Sequence, residues 1–402
     1  MLKRIDVAHL KTGMFIQEFC GSWMYHPFWR SNFMLSEAED LRRIRESALK
    51  EVWIDTRRGL DVDAGKEAER AEHVIPSPPP PRKAEVRPAS LREEVARAAK
   101  ICARAKESVT SMFMEARMGN AIEAEQAEPL VHEISNSVQR NPGALISLAR
   151  LKTADNYTYM HSIAVCALMI ALARQMQFDE AQTKNAGLAG LIHDVGKMRI
   201  PLEILNKNGK LTDEEFALMK THPAEGYRIL QDSSAVAPEV MDVCLAHHEK
   251  LDGTGYPQGL KGEGISLFAR MSAICDVYDA ITSARPYKSG WDPAESLHKM
   301  SEWKGHLDMY LFRAFVKSLG IYPIGSLVRL KSGRLGVVTE QNPASLLTPR
   351  VKVFFSTKSQ SRLPPEQIDL ARPGCPEKII SREEPENWNF QDLDDLWVIP
   401  AH

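Results

Sequence analysis

The stretch Leu191–Lys197 reads LIHDVGK and places a His–Asp pair directly after small apolar residues, with a lysine three positions later. The apolar residues before the pair predict a buried helix that ends at the edge of a site. A lone His–Asp pair arises often by chance. This pair, however, stands among five histidines and two aspartates that lie in or beside predicted buried helices: His161, His193, Asp194, His222, His247, His248 and Asp276.

These seven side chains predict a metal centre. Imidazoles and carboxylates are the usual ligands of catalytic metal ions, and a buried helical core has little other use for so many of them. Taken alone, His161 or His222 would be better interpreted as a hydrogen-bonded core or capping histidine. Seven donors exceed the need of one ion, so the set predicts two adjacent ions bridged by a carboxylate. Adjacent helical residues point about 100° apart, so His247 and His248 fit neighbouring ions.

Three cations near these ligands are candidates for binding phosphate. Lys197 lies three residues after Asp194, although a surface salt bridge is the simpler interpretation of such a lysine. Arg285 and Lys288 follow Asp276 near the end of the same predicted helix. Alone they would be interpreted as a solvated helix end, but their position after a ligand favours phosphate contacts.

Two further features surround the predicted ligands. Asp279 lies one helical turn after Asp276 and is the competing carboxylate. The turn-rich loop Asp252–Pro257 follows the two adjacent histidines, and its glycines allow the backbone to come close to a ligand.

The composition indicates a globular chain without a global signal for nucleic acid or membrane. The 402 residues carry a formal net charge of −2, with 44% apolar and 26% charged residues. The six cysteines form no CxxC pair, which favours free thiols in a reducing compartment. The longest apolar run, Ile163–Ala173, is too short to span a bilayer and predicts a core helix. With no apolar signal core at the N-terminus, a cytoplasmic protein is expected.

The N-terminal part predicts a small domain followed by a linker. Residues 1–72 combine an aromatic cluster, a short helix and the strand Val52–Asp55, and so predict a small accessory domain. The aromatic residues favour a core over a ligand surface: Trp23, Tyr25, Phe28, Trp29 and Phe33. Residues 73–90 are rich in proline, which predicts an extended linker, with a polyproline-binding partner as the alternative.

The rest of the chain predicts a mainly α fold. Residues 91–126 carry an apolar stripe at helical spacing and predict a connecting helix that packs on the next domain or pairs with itself in a dimer. Residues 127–322 predict consecutive helices that form a catalytic bundle, in which Thr212 and Glu215 mark a helix start. Residues 323–402 predict a small C-terminal β module with an acidic tail.

From about Leu145 to Leu330 the chain closely resembles the HD-GYP domain, a branch of the HD phosphohydrolases. The strings that carry the resemblance are YMHS (159–162), LIHDVGK (191–197), ILNKNGKLTDEEF (204–216), THPAEGYRIL (221–230), HHEKLDGTGYPQGLKG (247–262) and DVYDAITSARPYK (276–288). The N-terminal segment resembles, more weakly, a small accessory domain that often precedes HD-GYP domains.

The resemblance implies an HD-type helical bundle with cyclic di-GMP phosphodiesterase activity, which yields pGpG and in many members GMP. It implies two divalent ions, iron or manganese, that activate a water for in-line attack. By position, the seven residues above resemble the family's ligands, with Asp194 as the bridging carboxylate. Lys197, Arg285 and Lys288 resemble its phosphate-contacting cations. Gly255, Tyr256 and Pro257, the triplet that names the family, resemble a substrate-binding loop or a docking surface for a diguanylate cyclase (GGDEF) partner.

This chain departs from the family pattern at two places. Members with a third metal carry a glutamate one turn before the first histidine, where this chain has Tyr157, so two ions are expected. The usual Phe-Asp-Pro string is replaced by Leu307-Asp308-Met309, which is interpreted as a packing change. Two alternatives to the phosphodiesterase remain: a cyclic di-GMP receptor or docking module with little turnover, and an HD enzyme that acts on another nucleotide.

Overall fold

The computed structural model describes residues 2–20, 33–46, 50–62, 87, 89–150, 157–207, 209–233, 236–283, 290–342, 344–390 and 392–397. It contains two compact units, Met1–Glu85 and Val86–His402. Several predicted features lie outside the described residues: the aromatic residues from Trp23 to Trp29, most of the proline-rich linker, and the two cations Arg285 and Lys288.

The first unit is an antiparallel sheet with one helix. Its elements are β1 (Leu2–Asp6), β2 (Phe15–Cys20), β3 (Phe33–Met34), α1 (Ala38–Glu46) and β4 (Glu51–Asp55). The strand order is β1-β4-β2-β3. The predicted strand Val52–Asp55 is confirmed as part of β4, whose side chains at Val52 and Ile54 are fully buried in the core. Phe33 packs against that core, as its interpretation as a core residue predicted.

The second unit begins as a bundle of helices, which confirms the mainly α prediction. The helices are α2 (Leu91–Met118), α3 (Ala124–Arg140), α4 (Pro142–Arg150), α5 (Tyr157–Gln175), α6 (Glu180–Ile192), α7 (Leu202–Leu205), α8 (Asp213–Met219), α9 (His222–Gln231), α10 (Pro238–Ala246), α11 (Leu267–Thr282), α12 (Pro293–Glu302) and α13 (Met309–Leu319). α5 lies at the centre, where α4, α6, α11 and α13 pack against it. Its run Ile163–Ala173 is buried throughout, so the predicted core helix is confirmed.

No helix among the described residues combines the length and apolar character that crossing a membrane requires. The thiols of Cys102, Cys166, Cys244 and Cys275 are buried and free, as the cysteine spacing predicted. Thr212 and Glu215 form the predicted capping box at the start of α8.

Asp308, in the string that departs from the family pattern, has a packing role. It accepts the backbone N–H groups of Tyr310 and Leu311 at the start of α13, and Arg270 donates to it at 2.9 Å.

Helix α2 is shorter than the predicted connecting helix and belongs to the bundle. It starts with a capping box between Ser90 and Glu93 and ends at Gly119, which adopts a left-handed conformation. Residues 124–126 already form the first turn of α3. α2 packs on α3, α4 and α5 of the same chain, the first of the two arrangements that its apolar stripe allowed.

A buried ion pair ties α2 to α3. The Glu94 carboxylate is fully buried and accepts hydrogen bonds from Arg140 Nε at 2.6 Å and Nη2 at 2.8 Å, and from Ser137 Oγ at 2.7 Å. Burial raises the pKa of Glu94, but the bonds from Arg140 and Ser137 outweigh it and leave the pKa below its ordinary value of 4.5. The pair therefore stabilises the fold above that pH, and this stability is lost as the pH falls through the lowered pKa.

Arg140→Ala is expected to lower the free energy of unfolding by about 3–5 kcal/mol, because it leaves the Glu94 charge buried without its main partner. Urea unfolding at neutral pH measures this loss. The matched control is Arg97→Ala, since Arg97 is mostly exposed and contacts the same carboxylate at 3.4 Å, a geometry worth at most about 1 kcal/mol. Equal losses in the two variants would contradict the structural role of the Glu94–Arg140 pair.

The chain ends in the predicted β module. Its strands are β5 (Leu327–Leu330), β6 (Arg334–Glu340), β7 (Arg350–Ser356), β8 (Ser361–Asp369) and β9 (Ile379–Arg382), in the antiparallel order β8-β7-β6-β5-β9. Two tryptophans anchor the tail. Trp397 is buried and lies beneath the guanidinium of Arg150, and Trp388 Nε1 donates to Glu383 at 3.1 Å.

Candidate metal centre

The seven predicted ligands converge from five parts of the bundle. His161 lies on α5, the His193–Asp194 pair follows α6, His222 starts α9, His247 and His248 follow α10, and Asp276 lies on α11. All are buried except His248, whose side chain is 23% exposed. Their donor atoms form two groups, in each of which the atoms lie within 4.8 Å of one another. The groups are Asp194, His222, His247 and His248, and His161, His193 and Asp276.

Three of the histidines are held by the turn of helix that precedes them. The Nδ1 atoms of His193, His222 and His247 lie 2.9, 2.8 and 3.0 Å from the carbonyl oxygen three residues earlier. A carbonyl oxygen only accepts, so each Nδ1 carries the proton and donates it. Nε2 then keeps its lone pair and faces the site, which is the arrangement that metal-binding histidines require.

His161 is held by a carboxylate instead. Its Nδ1 lies 2.6 Å from Asp279 Oδ2, and its Nε2 lies 3.0 Å from Asp276 Oδ1. Asp279 therefore sits behind the imidazole and Asp276 in front of it. This geometry separates the two aspartates that competed in the sequence. Asp276 faces the other donors, and Asp279 orients His161 and makes it more basic, as carboxylates behind metal-bound histidines do.

Asp194 lies between the two groups. Its Oδ1 is 3.2 Å from His222 Nε2 and 3.8 Å from His247 Nε2. Its Oδ2 is 3.4 Å from His193 Nε2 and 3.6 Å from His161 Nε2. One carboxylate oxygen thus faces each group of histidines, which is the geometry of a bridging ligand.

Lys197 follows Asp194 in a short 3₁₀ helix, Val195–Arg199. Its ammonium lies 2.5 Å from Asp194 Oδ2 and its side chain is 22% exposed. Burial raises the pKa of Asp194, but Lys197 and His193 outweigh it, and the pKa stays well below the ordinary value. Asp194 is therefore ionised at neutral pH, with a cation beside it at the edge of the site.

The donor set fits two divalent ions. Among the residues that the structure describes, His193 Nε2 and Asp194 Oδ1 are buried without a hydrogen-bond partner, whereas buried polar atoms are ordinarily paired. The Nε2 atoms of His222 and His247 face each other at 3.2 Å, and two lone pairs at that distance call for a cation between them. Burial lowers the pKa of His248 to about 3, so that imidazole is also neutral and able to bind a metal.

Asp279→Asn is expected to weaken divalent metal binding about 10–100-fold, because the uncharged amide makes His161 a poorer ligand. Metal titration of the metal-free protein measures the affinity. Ser283→Ala is the matched control, since the Ser283 hydroxyl donates to Asp279 Oδ1 at 3.3 Å, whereas His161 contacts the other oxygen, Oδ2. An affinity in Asp279→Asn equal to that of the control would contradict the orienting role of Asp279.

The loop Asp252–Pro257 is held against the ligands by a residue that sequence reasoning missed. Glu249 is buried directly after His248, and its carboxylate accepts the backbone N–H groups of Gln258 at 2.7 Å and Leu260 at 3.0 Å. An acidic residue directly after two adjacent histidines was a signal for such a role. Its bonds close the loop, and the Tyr256 ring lies 4.7 Å from the His248 ring.

Two glycines of the sequence motifs are required by close packing. A Cβ at Gly255 would lie 2.4 Å from Lys250 N and 2.6 Å from His248 O. A Cβ at Gly196 would lie 1.9 Å from the carbonyl oxygen of His222, because the turn after the His–Asp pair packs directly on α9. Gly255 therefore shapes the loop through its backbone, while Pro257 is exposed at the loop surface.

Comparisons with known proteins show the family to which the chain belongs. A family model described as an HD domain matches residues 134–311, and one described as a domain of unknown function (DUF3391) matches residues 2–127. A cyclic di-GMP phosphodiesterase of Pseudomonas aeruginosa is 58% identical over 399 residues, which cover 99% of this chain and 96% of that protein. This chain belongs to the HD-GYP family. The prediction of the family, with its N-terminal accessory domain, is confirmed.

Other relatives match a smaller share of the chain. A response-regulator cyclic di-GMP phosphodiesterase of Xanthomonas campestris is 42% identical over 137 residues, 34% of this chain and 36% of that protein. A 3′3′-cGAMP-specific phosphodiesterase of Vibrio cholerae is 37% identical over 166 residues, 41% of this chain and 38% of that protein. The names of these relatives thus include more than one cyclic dinucleotide, and the relative that matches the whole chain is named for cyclic di-GMP.

Proposed function

We propose that this protein is a metal-dependent phosphodiesterase that hydrolyses cyclic di-GMP and so lowers the level of this bacterial signalling molecule. The product is either pGpG or GMP formed by hydrolysis of pGpG. The observation that carries the chemistry is the position of Asp194, with one oxygen toward each group of histidines. The whole-chain likeness to a cyclic di-GMP phosphodiesterase supports the substrate.

The ligand set proposed is His161, His193, Asp194, His222, His247, His248 and Asp276. When bound there, two divalent ions would activate water and neutralise charge on the phosphoryl oxygens. Imidazole and carboxylate ligands suit iron or manganese, and one of these two metals is proposed.

The residues around the ligands prepare the site for a phosphodiester. Asp194 is kept ionised by Lys197, so it can hold two cations at once. The ammonium of Lys197, partly exposed beside that carboxylate, can also meet a phosphoryl oxygen as negative charge develops. Arg285 and Lys288 are proposed to do the same, and Gly255, Tyr256 and Pro257 to line the substrate groove.

The test is an incubation of iron-loaded protein without oxygen, or manganese-loaded protein, with cyclic di-GMP and separation of the products. Appearance of pGpG or GMP that stops on chelation is the expected result. Full recovery of intact dinucleotide by metal-loaded protein would instead favour a receptor or docking module. Faster turnover of 3′3′-cGAMP or another nucleotide than of cyclic di-GMP in the same assay would favour an HD enzyme that acts on another nucleotide.

We also infer several properties that the sequence suggested. The domains proposed are residues 1–72, the linker 73–90, a connecting segment 91–126 that contains α2, the catalytic bundle 127–322 and the β module 323–402. The protein is proposed to act in the cytoplasm, without binding nucleic acid polymers or membranes. A diguanylate cyclase (GGDEF) protein docked on the Asp252–Pro257 loop, and a homodimer, are the proposed protein partners.

A further inference from the structure

A lysine and two aromatic rings extend the site outward from the metal ligands. The ammonium of Lys220 lies 4.6 Å from the centre of the Phe216 ring and 5.7 Å from the centre of the Tyr256 ring. The Tyr256 ring in turn lies 4.7 Å from the ring of His248. Phe216, Lys220 and Tyr256, here called the outer clamp, therefore form a continuous path that begins at a proposed ligand.

The local sequence fixes this arrangement. Phe216 and Lys220 are four residues apart at the end of α8, so they share one face of the helix. The start of α8 is fixed by the capping box of Thr212 and Glu215, and Lys207 pairs with Glu215 at 2.5 Å. His222 follows two residues after Lys220, so the same short segment carries the clamp and a ligand.

One member of the outer clamp, Phe216, is exposed in a way that a packing role does not explain. Phe216 is 45% exposed, although burying a large aromatic ring is ordinarily favourable. Within the described ranges, no carboxylate oxygen lies within salt-bridge distance of the Lys220 ammonium, and its contacts are the faces of the two rings. A cation without an acidic partner, beside an open ring, is chemistry that recognises a phosphate and a flat base.

We propose that the outer clamp binds the half of the dinucleotide that does not react. This proposal rests on the proposed function. A cyclic dinucleotide has two phosphodiesters and two purines, and the metal centre can hold only one phosphodiester at a time. Lys220 then contacts the second phosphate, and the exposed face of Phe216 stacks on a guanine. Phe216 and Lys220 are therefore substrate-binding residues that favour a dinucleotide over a smaller phosphodiester.

Phe216→Ala and Lys220→Met test the proposal, with cyclic di-GMP and the small diester bis(p-nitrophenyl) phosphate as substrates. Each variant is expected to raise KM for cyclic di-GMP about 10-fold, because it removes one base stack or one phosphate contact. Turnover of the small diester should stay unchanged, because it reaches only the metals. Lys220→Arg keeps the positive charge and should have a KM close to that of the wild-type protein. Leu218→Ala is the matched control, since Leu218 is also exposed but lies on the opposite face of α8.

Two results would overturn the proposal: an unchanged KM in both variants, or an equal loss on both substrates, which would indicate a disturbed fold. Calorimetric binding of cyclic di-GMP to the metal-loaded protein separates this proposal from the proposed function. If the wild-type protein binds the dinucleotide without hydrolysing it, the proposed function fails. The clamp then stands if the variants bind about 10-fold more weakly, and it fails if they bind equally well.

Discussion

Asp194→Asn is expected to remove nearly all phosphodiesterase activity, with kcat lowered about 1,000-fold or more. The reason is that Asp194 is the ligand proposed to bridge two metal ions, and metal ions contribute several kcal/mol to transition-state stabilisation. The carboxylate supplies one oxygen to each group and lies within 3.8 Å of two histidines in each, whereas Asp276 contacts one histidine in each group, His161 and His248. The neutral amide keeps the size of the side chain but loses the charge that holds two cations. Metal content per chain should fall in parallel, measured by elemental analysis after loading and desalting.

Asp232→Asn is the matched control for this variant. Asp232 is exposed at the end of α9, in the same unit, and its replacement changes the net charge equally. The control should keep wild-type metal content and kcat. If Asp194→Asn kept both metals and turned over cyclic di-GMP normally, Asp194 would not be the bridging ligand.

Gly255→Ala is expected to lower kcat/KM about 100-fold and to destabilise the fold by about 1–3 kcal/mol, the usual cost of overpacking. The new Cβ would lie 2.4–2.6 Å from backbone atoms of His248, Glu249 and Lys250. Backbone cannot rotate away as a flexible side chain can, so the segment after the adjacent histidines must shift. That shift moves the His248 imidazole and the Tyr256 ring together, and both lie in the proposed site.

Gly264→Ala separates this effect from the general cost of replacing a glycine. A Cβ at Gly264 would meet open space, and its backbone is not in the left-handed region. We expect this control to keep wild-type kcat/KM and the wild-type unfolding midpoint in urea. Wild-type kinetics in Gly255→Ala would show that the close packing of this loop has no part in activity.

The convergence of these seven side chains was predictable because it depends on residue types and on their place in the chain. Buried helical patterns around His161 and Asp276 predicted that their side chains would enter a common core, and the structure brings them to within 3.0 Å of each other. The β module at the C-terminus was equally predictable, since alternation of apolar residues is a local property of the chain.

The supporting contacts were not predictable, because they depend on three-dimensional packing. Which of Asp276 and Asp279 faces the other donors depends on which face of α11 meets α5, and a sequence alone does not fix that rotation. The role of Glu249 depends on a loop that returns to it nine to eleven residues later. Lys220 contacts both the Phe216 ring and the Tyr256 ring, and these two rings belong to segments that are far apart in the chain. Arg285 and Lys288 stay predictions.

The most direct test of the central claim is a titration of metal-free protein with manganese, or with iron in the absence of oxygen. Bound metal per chain and the rate of cyclic di-GMP hydrolysis are followed together. The two-ion site bridged by Asp194 predicts that activity becomes maximal only as the second ion per chain binds, and that chelation reverses it. Maximal activity with a single bound ion, or hydrolysis by the metal-free protein, would contradict the account.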